Sequence, residues 1–420
     1  MGSLDAFTGE ILVFLGSLVI AAYGLDILAK QSRVPGIILV LGLGMAARSI
    51  VDSTTLSAPP VEPFLPVLGT IGLILIVLEG AIELRIVRDR LNLILRAFLS
   101  ALTILLATLF TVGGFLHLVV GSAWQIALLN ATPLAVISSA VAIPSVGRLS
   151  EDKREFVTYE SSFSDILGVL VFTKLSTEGN GPLSIGGVLA GLGGSLLATV
   201  LIAIVLSLGL FAMLIGIRNH VKSLLVLAVL LMAYGAAKIL HLPALLIVFL
   251  FGLLLANPRT VVDALHARRF IPAGRIRMEV RLFEIVTGEM TFLVRAFFFF
   301  AFGFSINLDR LMNLKVILIA FGIYLLILIV RLAYLSLFAR RHLFPEVFVA
   351  PRGLITILLF YSIPTTMLIP VISRDVLFSV VLLSSIAMAV ALRVEPKSQP
   401  APSLPPTTPS PPNATEPPTG

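Results

Sequence analysis

Long runs of apolar residues, separated by short polar stretches, fill most of the 420-residue chain. Most runs are long enough for a helix to cross a hydrocarbon core of about 30 Å at about 1.5 Å per residue. Thirteen segments can be counted, near 10–29, 35–50, 64–84, 91–119, 123–147, 155–175, 190–216, 221–240, 242–257, 285–306, 313–338, 345–363 and 371–393. Backbone groups in lipid have no water to bond, so each segment is expected to be helical. The pattern predicts an all-α polytopic membrane protein with a transport domain over residues 1–394.

The positions of lysine and arginine predict an orientation for these spans. Twenty of them fall in one set of alternate loops, six in the other and four inside segments. Because positively charged loops stay cytoplasmic, we expect the amino terminus outside and the carboxyl terminus inside a cell (inner) membrane. Arg96 and Arg331, both inside segments, are expected to reach the interface with their charged ends. Residues 395–420 contain ten prolines, which predicts a disordered cytoplasmic tail.

Composition narrows the function classes. The chain is 58% hydrophobic and 13% charged, with a mean hydropathy of +1.06. It has no cysteine, which excludes thiolate metal sites and thiol nucleophiles. The net charge of +7 is explained by the basic loops, so no nucleic-acid partner is expected. Neither a Gly-x-Ser-x-Gly elbow nor a His-Glu-x-x-His motif occurs, so the protein is predicted not to be an enzyme and to need no cofactor.

Two apolar segments carry a proline near their middle. The fifth contains Asn130-Ala-Thr-Pro133 and the twelfth contains Ala350-Pro-Arg-Gly353. Proline removes an amide donor and clashes with the preceding turn, so both helices are expected to unwind at Pro133 and Pro351. One interrupted segment in each half predicts an inverted-repeat transporter with its site near the midplane of the bilayer. The alternative is a pair of ordinary proline kinks.

The sixth segment carries two carboxylates where lipid-embedded helix is expected, in Tyr159-Glu-Ser-Ser-Phe-Ser-Asp165. A charge at bilayer depth is costly and needs a partner or a task. Glu160 and Asp165 lie about 140° apart around a helix, so one can be neutralised while the other stays available. Arg295, central in the tenth segment, is the expected partner of Glu160, with Glu289 as a second acid for it. Asp165 is then the free acid, and the surrounding oxygen atoms suit a hard cation.

The order of these motifs resembles that of the monovalent cation/proton antiporter superfamily, and most closely its NhaP-like sodium/proton exchangers. The matching stretches are Leu78-Glu-Gly80, Ala131-Thr-Pro133, Glu160 to Asp165, the Arg295 segment and Ala350-Pro-Arg-Gly353. The resemblance implies an NhaA/NhaP-like fold of inverted repeats with two crossing discontinuous helices, a homodimer and elevator-like movement of a core domain. It also implies that Asp165 carries ion or proton, that Glu160 pairs with Arg295, and that Arg352 supports the crossing.

Two positions depart from the family pattern. Ser164 stands where an asparagine usually precedes the key aspartate, and Thr132 stands where an acid usually precedes the proline. These departures leave potassium open beside sodium and lithium as the transported ion. The expected cation ligands are Asp165 with the hydroxyls of Thr132, Ser161 and Ser164.

The predicted function is antiport of a monovalent cation for H⁺ in pH homeostasis. Burial disfavours the charged carboxylate, so Asp165 can hold a proton near neutral pH, and a cation binds only its ionised form. With one free acid the expected stoichiometry is one cation for one proton. The alternatives are a K⁺/H⁺ antiporter and a sodium-coupled organic-anion symporter of the related bile-acid type. A channel would not need a titratable acid.

Overall fold

The computed structural model describes residues 2–32, 34–54, 61–84, 90–147, 149–177, 201–214, 222–240, 244–258, 273–339 and 344–394. No strand occurs within these ranges, and nearly all of their residues are helical. The predicted all-α architecture is therefore confirmed. The proline-rich tail predicted at 395–420 lies outside the described residues.

Fifteen helices are described. They are α1 (Gly2–Ser32), α2 (Gly36–Asp52), α3 (Leu65–Glu83), α4 (Leu91–Val120), α5 (Trp124–Ala135), α6 (Ser139–Ser145), α7 (Glu151–Thr177), α8 (Leu201–Leu214), α9 (Lys222–Ile239), α10 (Ala244–Ala256), α11 (Ala273–Phe304), α12 (Leu308–Leu311), α13 (Leu314–Tyr334), α14 (Leu354–Tyr361) and α15 (Arg374–Val394). A π-helical turn, Leu335–Ala339, extends α13. Gly121 ends α4 in a left-handed conformation at φ 73°, which costs glycine no side-chain clash.

Seven stretches of the described chain are long and apolar enough to cross a membrane. They are Leu12–Ala29, Leu65–Ile82, Leu91–Val120, Trp124–Ser145, Met278–Phe304, Leu314–Phe338 and Arg374–Val394. Three further apolar helices are shorter, at Leu201–Leu214, Ser223–Ile239 and Ala244–Ala256. The membrane-spanning character of the chain agrees with the sequence prediction, whereas the count of thirteen spans stays a prediction.

Thirteen of the fifteen described helices pack as two bundles. The first contains α1, α2, α3, α9, α10 and α11, and the second contains α4, α5, α6, α7, α13, α14 and α15. Helix α3 lies at the boundary, because it also packs on α6, α7 and α14. A Cβ atom at Gly80 of α3 would come 2.9 Å from Ile143 Cδ1, so a glycine lets α3 approach α6 closely.

Within the first bundle, α2 and α11 touch backbone to backbone through two glycines. A Cβ atom built at Gly44 would lie closer than 3.0 Å to Phe300 O, and one built at Gly303 would lie equally close to Leu41 O. Each glycine therefore fits against a carbonyl of the facing helix. Small residues permit this kind of approach between membrane helices, where dispersion contacts replace the hydrophobic effect.

The first helix break lies later than the proline predicted. Helix α5 continues through Pro133 to Ala135, and the chain is extended at 136–138 before α6 begins at Ser139. The expectation of unwinding at Pro133 is thus wrong by about one turn. Pro133 removes one helical hydrogen bond, to Leu129 O, yet α5 continues for two more residues; the hydroxyl of Thr132 donates to Leu128 O over 2.8 Å.

The second break includes the predicted proline. Residues 344–348 form turns, residues 349–353 are non-helical, and α14 begins at Leu354, so the first half of the segment predicted at 345–363 is not helical. The two breaks meet, because the Ser138 backbone N–H donates to Pro351 O over 2.9 Å. A Cβ atom at Gly353 would lie 2.7 Å from Ser138 Oγ, so glycine is needed for the close approach. The crossing of two discontinuous segments, predicted by the family resemblance, is confirmed.

Candidate functional site

Asp165 of α7 faces the first break and is 1% exposed. Its Oδ2 atom accepts hydrogen bonds from the hydroxyl of Ser139 and, over 3.3 Å, from the Ser139 backbone N–H. Its Oδ1 atom is buried and has no hydrogen-bond partner in the part of the chain that the structure describes. One carboxylate oxygen is thus held in place while the other is uncommitted. A buried acceptor in this state gains from any donor, proton or cation that reaches it.

Two further serine hydroxyls lie where α7 meets the break. Ser164 Oγ accepts from the Ile137 backbone N–H over 2.9 Å, which fastens the break to α7. Ser138 Oγ is buried and, within the described ranges, has no hydrogen-bond partner. Sequence reasoning missed both Ser138 and Ser139. The signal that could have found them is the serine pair that follows Val136-Ile137 in the broken segment.

Arg352 lies across the crossing and is fully buried. Its Nε donates to Leu134 O at the end of α5 over 2.6 Å, and its Nη1 donates to Ala350 O over 3.1 Å. Its backbone N–H donates to Ser384 Oγ over 3.0 Å. The side chain therefore bonds carbonyl groups that flank both breaks, a geometry consistent with the supporting role that the family resemblance implies for Arg352.

The second acid of α7 is bound to an arginine that the sequence did not predict. Glu160 Oε2 accepts from Arg331 Nη2 over 2.8 Å, and Oε1 accepts from Arg331 Nη1 over 3.2 Å. Both side chains are 1% exposed, and Ser100 of α4 donates to Glu160 Oε1 over 2.5 Å. The prediction that Glu160 pairs with Arg295 is therefore wrong. So is the prediction that Arg331 extends to the interface.

The packing of α13 explains this correction. Helix α13 lies against α4, which in turn packs on α7, whereas α11 belongs to the other bundle. Arg331 also donates to Glu346 O over 2.9 Å and to Val349 O over 3.1 Å. It thereby joins α7 to the first residue of the second break and to Glu346 just before it. Arg295 is half-buried and has no hydrogen bond or ion pair among the described residues, and Glu289 is exposed.

None of the other predicted ligands is hydrogen-bonded to the Asp165 carboxylate in the part of the chain that the structure describes. Ser164 is adjacent to Asp165 and bonds the break. Ser161, one turn earlier on α7, is buried and donates to Thr158 O over 3.3 Å. Thr132 lies within intact α5, where its hydroxyl donates to its own helix, and no hydrogen bond joins it to Asp165 in the described part of the chain. The structure brings Ser138, Ser139 and Ser164 to the break, but not Thr132.

Besides the Arg352 guanidinium, the polar groups described at the crossing are hydroxyls, backbone groups and one carboxylate, that of Asp165. Within the described ranges, Asp165 accepts no hydrogen bond from a basic side chain. No group of three or more His, Cys, Asp or Glu side chains comes together among the described residues. Oxygen donors with one carboxylate suit a hard cation or a proton better than a transition metal.

The helix broken between α5 and α6 crosses the non-helical residues that lead into α14, beside a buried acid and among described helices that include apolar spans. This arrangement defines a membrane ion transporter of the antiporter fold. The chain belongs to the transmembrane sodium/hydrogen exchanger family, which it matches over residues 15–393. The family resemblance read from the sequence is therefore confirmed.

The fold is that of a solved archaeal antiporter. The chain is similar to the sodium proton antiporter MjNhaP1 from Methanocaldococcus jannaschii at pH 8, with 21% identity, a TM-score of 0.66, and coverage of 92% of this chain and 100% of that one. A second structure of MjNhaP1, from electron microscopy, gives 19% identity, a TM-score of 0.67 and coverage of 93% and 99%. No curated protein matches the chain.

Proposed function

We propose that this protein exchanges a monovalent cation for H⁺ across the membrane, with Asp165 as the group that carries either ion. The observation that supports it most is the buried carboxylate of Asp165, with one oxygen bonded to Ser139 and the other uncommitted. Ser138 Oγ, also buried and unbonded in the described chain, offers a second oxygen ligand. Ser161, Ser164 and Thr132 remain proposed ligands, although in the described chain their hydroxyls bond groups other than Asp165.

The proposed mechanism is competition. A proton and a cation both neutralise the carboxylate of Asp165, so only one is bound at a time. Glu160 is already neutralised by Arg331, and the break carries uncharged Ser138 and Ser139. One acid is then left to exchange charge, which favours one cation for one proton. Sodium is the proposed substrate, lithium and potassium are alternatives, and pH homeostasis is the proposed role.

Alternating access is proposed to occur by movement of one bundle against the other. The crossing, Asp165 and the Glu160–Arg331 pair all lie in the bundle of α4–α7 and α13–α15, so the site can move as a unit. Helix α3 forms the boundary against which it would slide. A homodimer in the cell (inner) membrane, with its amino terminus outside, completes the proposal.

A proton-flux assay in reconstituted liposomes tests the function, with sodium, lithium and potassium supplied in turn. Asp165→Asn keeps the shape of the side chain but removes its charge and its titration, so cation-driven proton movement should be lost. Asp152→Asn is the matched control, because Asp152 is the same residue type at the start of the same helix, is exposed, and pairs with Arg90. An exposed pair contributes little to stability.

The outcome separates the candidates. Flux lost in Asp165→Asn and kept in Asp152→Asn supports the proposal, and the order of the three cations names the substrate. Cation-driven proton movement of wild-type size in a folded Asp165→Asn protein would reject Asp165 as the carrier. A cation current that needs no proton gradient would instead point to a channel.

A further inference from the structure

Helix α7 and the first break are joined at three neighbouring points. Ser139 bonds Asp165, and the backbone N–H of Ile137 bonds Ser164 Oγ. The third point is a steric contact between Gly168 of α7 and Val136, the first residue of the break. Because residues three apart share a face of a helix, Asp165 and Gly168 both point at the break. Both hydrogen bonds therefore depend on how closely α7 approaches Val136.

Glycine at position 168 permits that approach. A Cβ atom built there would lie closer than 3.0 Å to Val136 Cγ2 and 3.3 Å from both Val136 Cβ and Cγ1. Real Cβ atoms do not come so close, so a methyl group would push the break away from α7. Gly235 of α9, by contrast, has no atom within 4 Å of the corresponding position. The two glycines differ in what they face, not in their helical setting.

We propose that Gly168 is a positioning residue, which sets the distance between the broken segment and Asp165 through its contact with Val136. The inference rests on the proposed function, since the quantity it controls is the affinity of the Asp165 site for the cation. Gly168 touches neither ion. It acts through the two hydrogen bonds, which lengthen if α7 and the break move apart.

The transport test uses Gly168→Ala, Val136→Ala and the double variant in reconstituted liposomes. Gly168→Ala should raise the apparent KM for sodium about tenfold, because the bonds from Ser139 stabilise the ionised form of Asp165 that binds the cation, and one hydrogen bond to a charged group is worth about that factor. Val136→Ala removes Cγ2, the methyl group that clashes, together with Cγ1, so the double variant should return towards the wild-type KM. Gly235→Ala is the matched control and should leave KM unchanged. Val136→Ile enlarges the other residue of the same contact. It replaces Gly168→Ala as the test variant if Gly168→Ala does not fold.

A merely structural role would give a different pattern. Gly168→Ala would then lower the amount of folded protein and the maximal rate, with KM unchanged. That result would overturn the proposal, and so would a double variant whose KM stays as high as that of Gly168→Ala.

A second measurement needs no transport and separates this inference from the proposed function. Ser139→Ala should lower the thermal unfolding midpoint in the wild-type background, because its bond to Asp165 is lost. In the Gly168→Ala background, Ser139→Ala should lower the unfolding midpoint by less, because the bond between Ser139 and Asp165 is already weakened there. Equal losses in both backgrounds would refute the positioning role. If the losses differ as expected but the wild-type protein drives no cation-coupled flux, the proposed function fails and the positioning stands.

Discussion

The buried pair of Glu160 and Arg331 gives the sharpest test of the site. Glu160→Gln keeps the size of the side chain but strands the charge of Arg331 in the bundle. Breaking a buried ion pair from one side typically costs about 3–5 kcal/mol. Arg331→Gln should cost more, because it also removes the donors of Glu346 O and Val349 O. Each buried carbonyl left without a donor adds about 1–3 kcal/mol.

The assay is a double-mutant cycle on the free energy of unfolding, measured by titrating detergent-solubilised protein with SDS. Once either charge is gone, loss of the other no longer strands a partner. The double variant should therefore lose about 1–3 kcal/mol less than the two single losses added together. Circular dichroism of each variant checks that the starting state is helical.

Arg295→Gln is the matched control for this cycle. It removes the same charge from a neighbouring span, but Arg295 has no hydrogen bond or ion pair among the described residues. Its effect should add to that of Glu160→Gln. The pairing described here would be refuted if the losses of unfolding free energy in Glu160→Gln and Arg331→Gln were strictly additive while those in Glu160→Gln and Arg295→Gln were coupled. That result would restore the pairing that the sequence predicted.

Three further predictions concern transport and packing. First, proton and cation are expected to compete at Asp165. In the range where Asp165 is mostly protonated, each fall of one pH unit should then raise the apparent KM for sodium about tenfold and leave the maximal rate unchanged. A KM independent of pH would contradict competition. Second, sodium-driven exchange in liposomes should not respond to a potassium–valinomycin voltage, and acceleration by either polarity would mean a second titrating group. Third, Gly303→Ala should lower the unfolding midpoint strongly, because a Cβ atom there overlaps Leu41 O. Gly322→Ala has open space around the new methyl group and should not lower the midpoint. Similar midpoints for the two variants would contradict the close contact of α2 and α11.

The sequence predicted the parts of this protein that depend on local pattern. Apolar runs predict helices in lipid because the backbone there can bond only to itself. A carboxylate such as Asp165 inside one of these runs is conspicuous for the same reason. Pro133 and Pro351 identified the two segments that are interrupted. Only Pro351 lies within the interruption itself.

Long-range contacts could not be read in the same way. A charge balance shows that Glu160 needs an arginine, but Arg96, Arg295, Arg331 and Arg352 all lie inside segments. Only the packing of α13 against α4 shows that Arg331 is the partner.

The first break was misplaced for a similar reason. Proline indicates where a helix is weak, whereas the end of α5 is fixed by bonds to other elements. Those bonds run from Ser138 N–H to Pro351 O and from Ile137 N–H to Ser164 Oγ. Neither partner is near in sequence, so no local pattern contains them. The serine pair at 138–139 gains its importance only after this register is known.

The bond between the two breaks runs from one main-chain group to another, Ser138 N–H to Pro351 O. A main-chain bond survives substitution of the side chains beside it. This link between the two breaks therefore does not depend on the chemistry of the side chain at 138. It does depend on the size of that side chain, because a Cβ atom at Gly353 would lie only 2.7 Å from Ser138 Oγ. Ser138→Ala is expected to keep the link, whereas a larger acid or amide there would press against the second break. At this position the fold restricts the volume of the side chain and leaves its chemistry open.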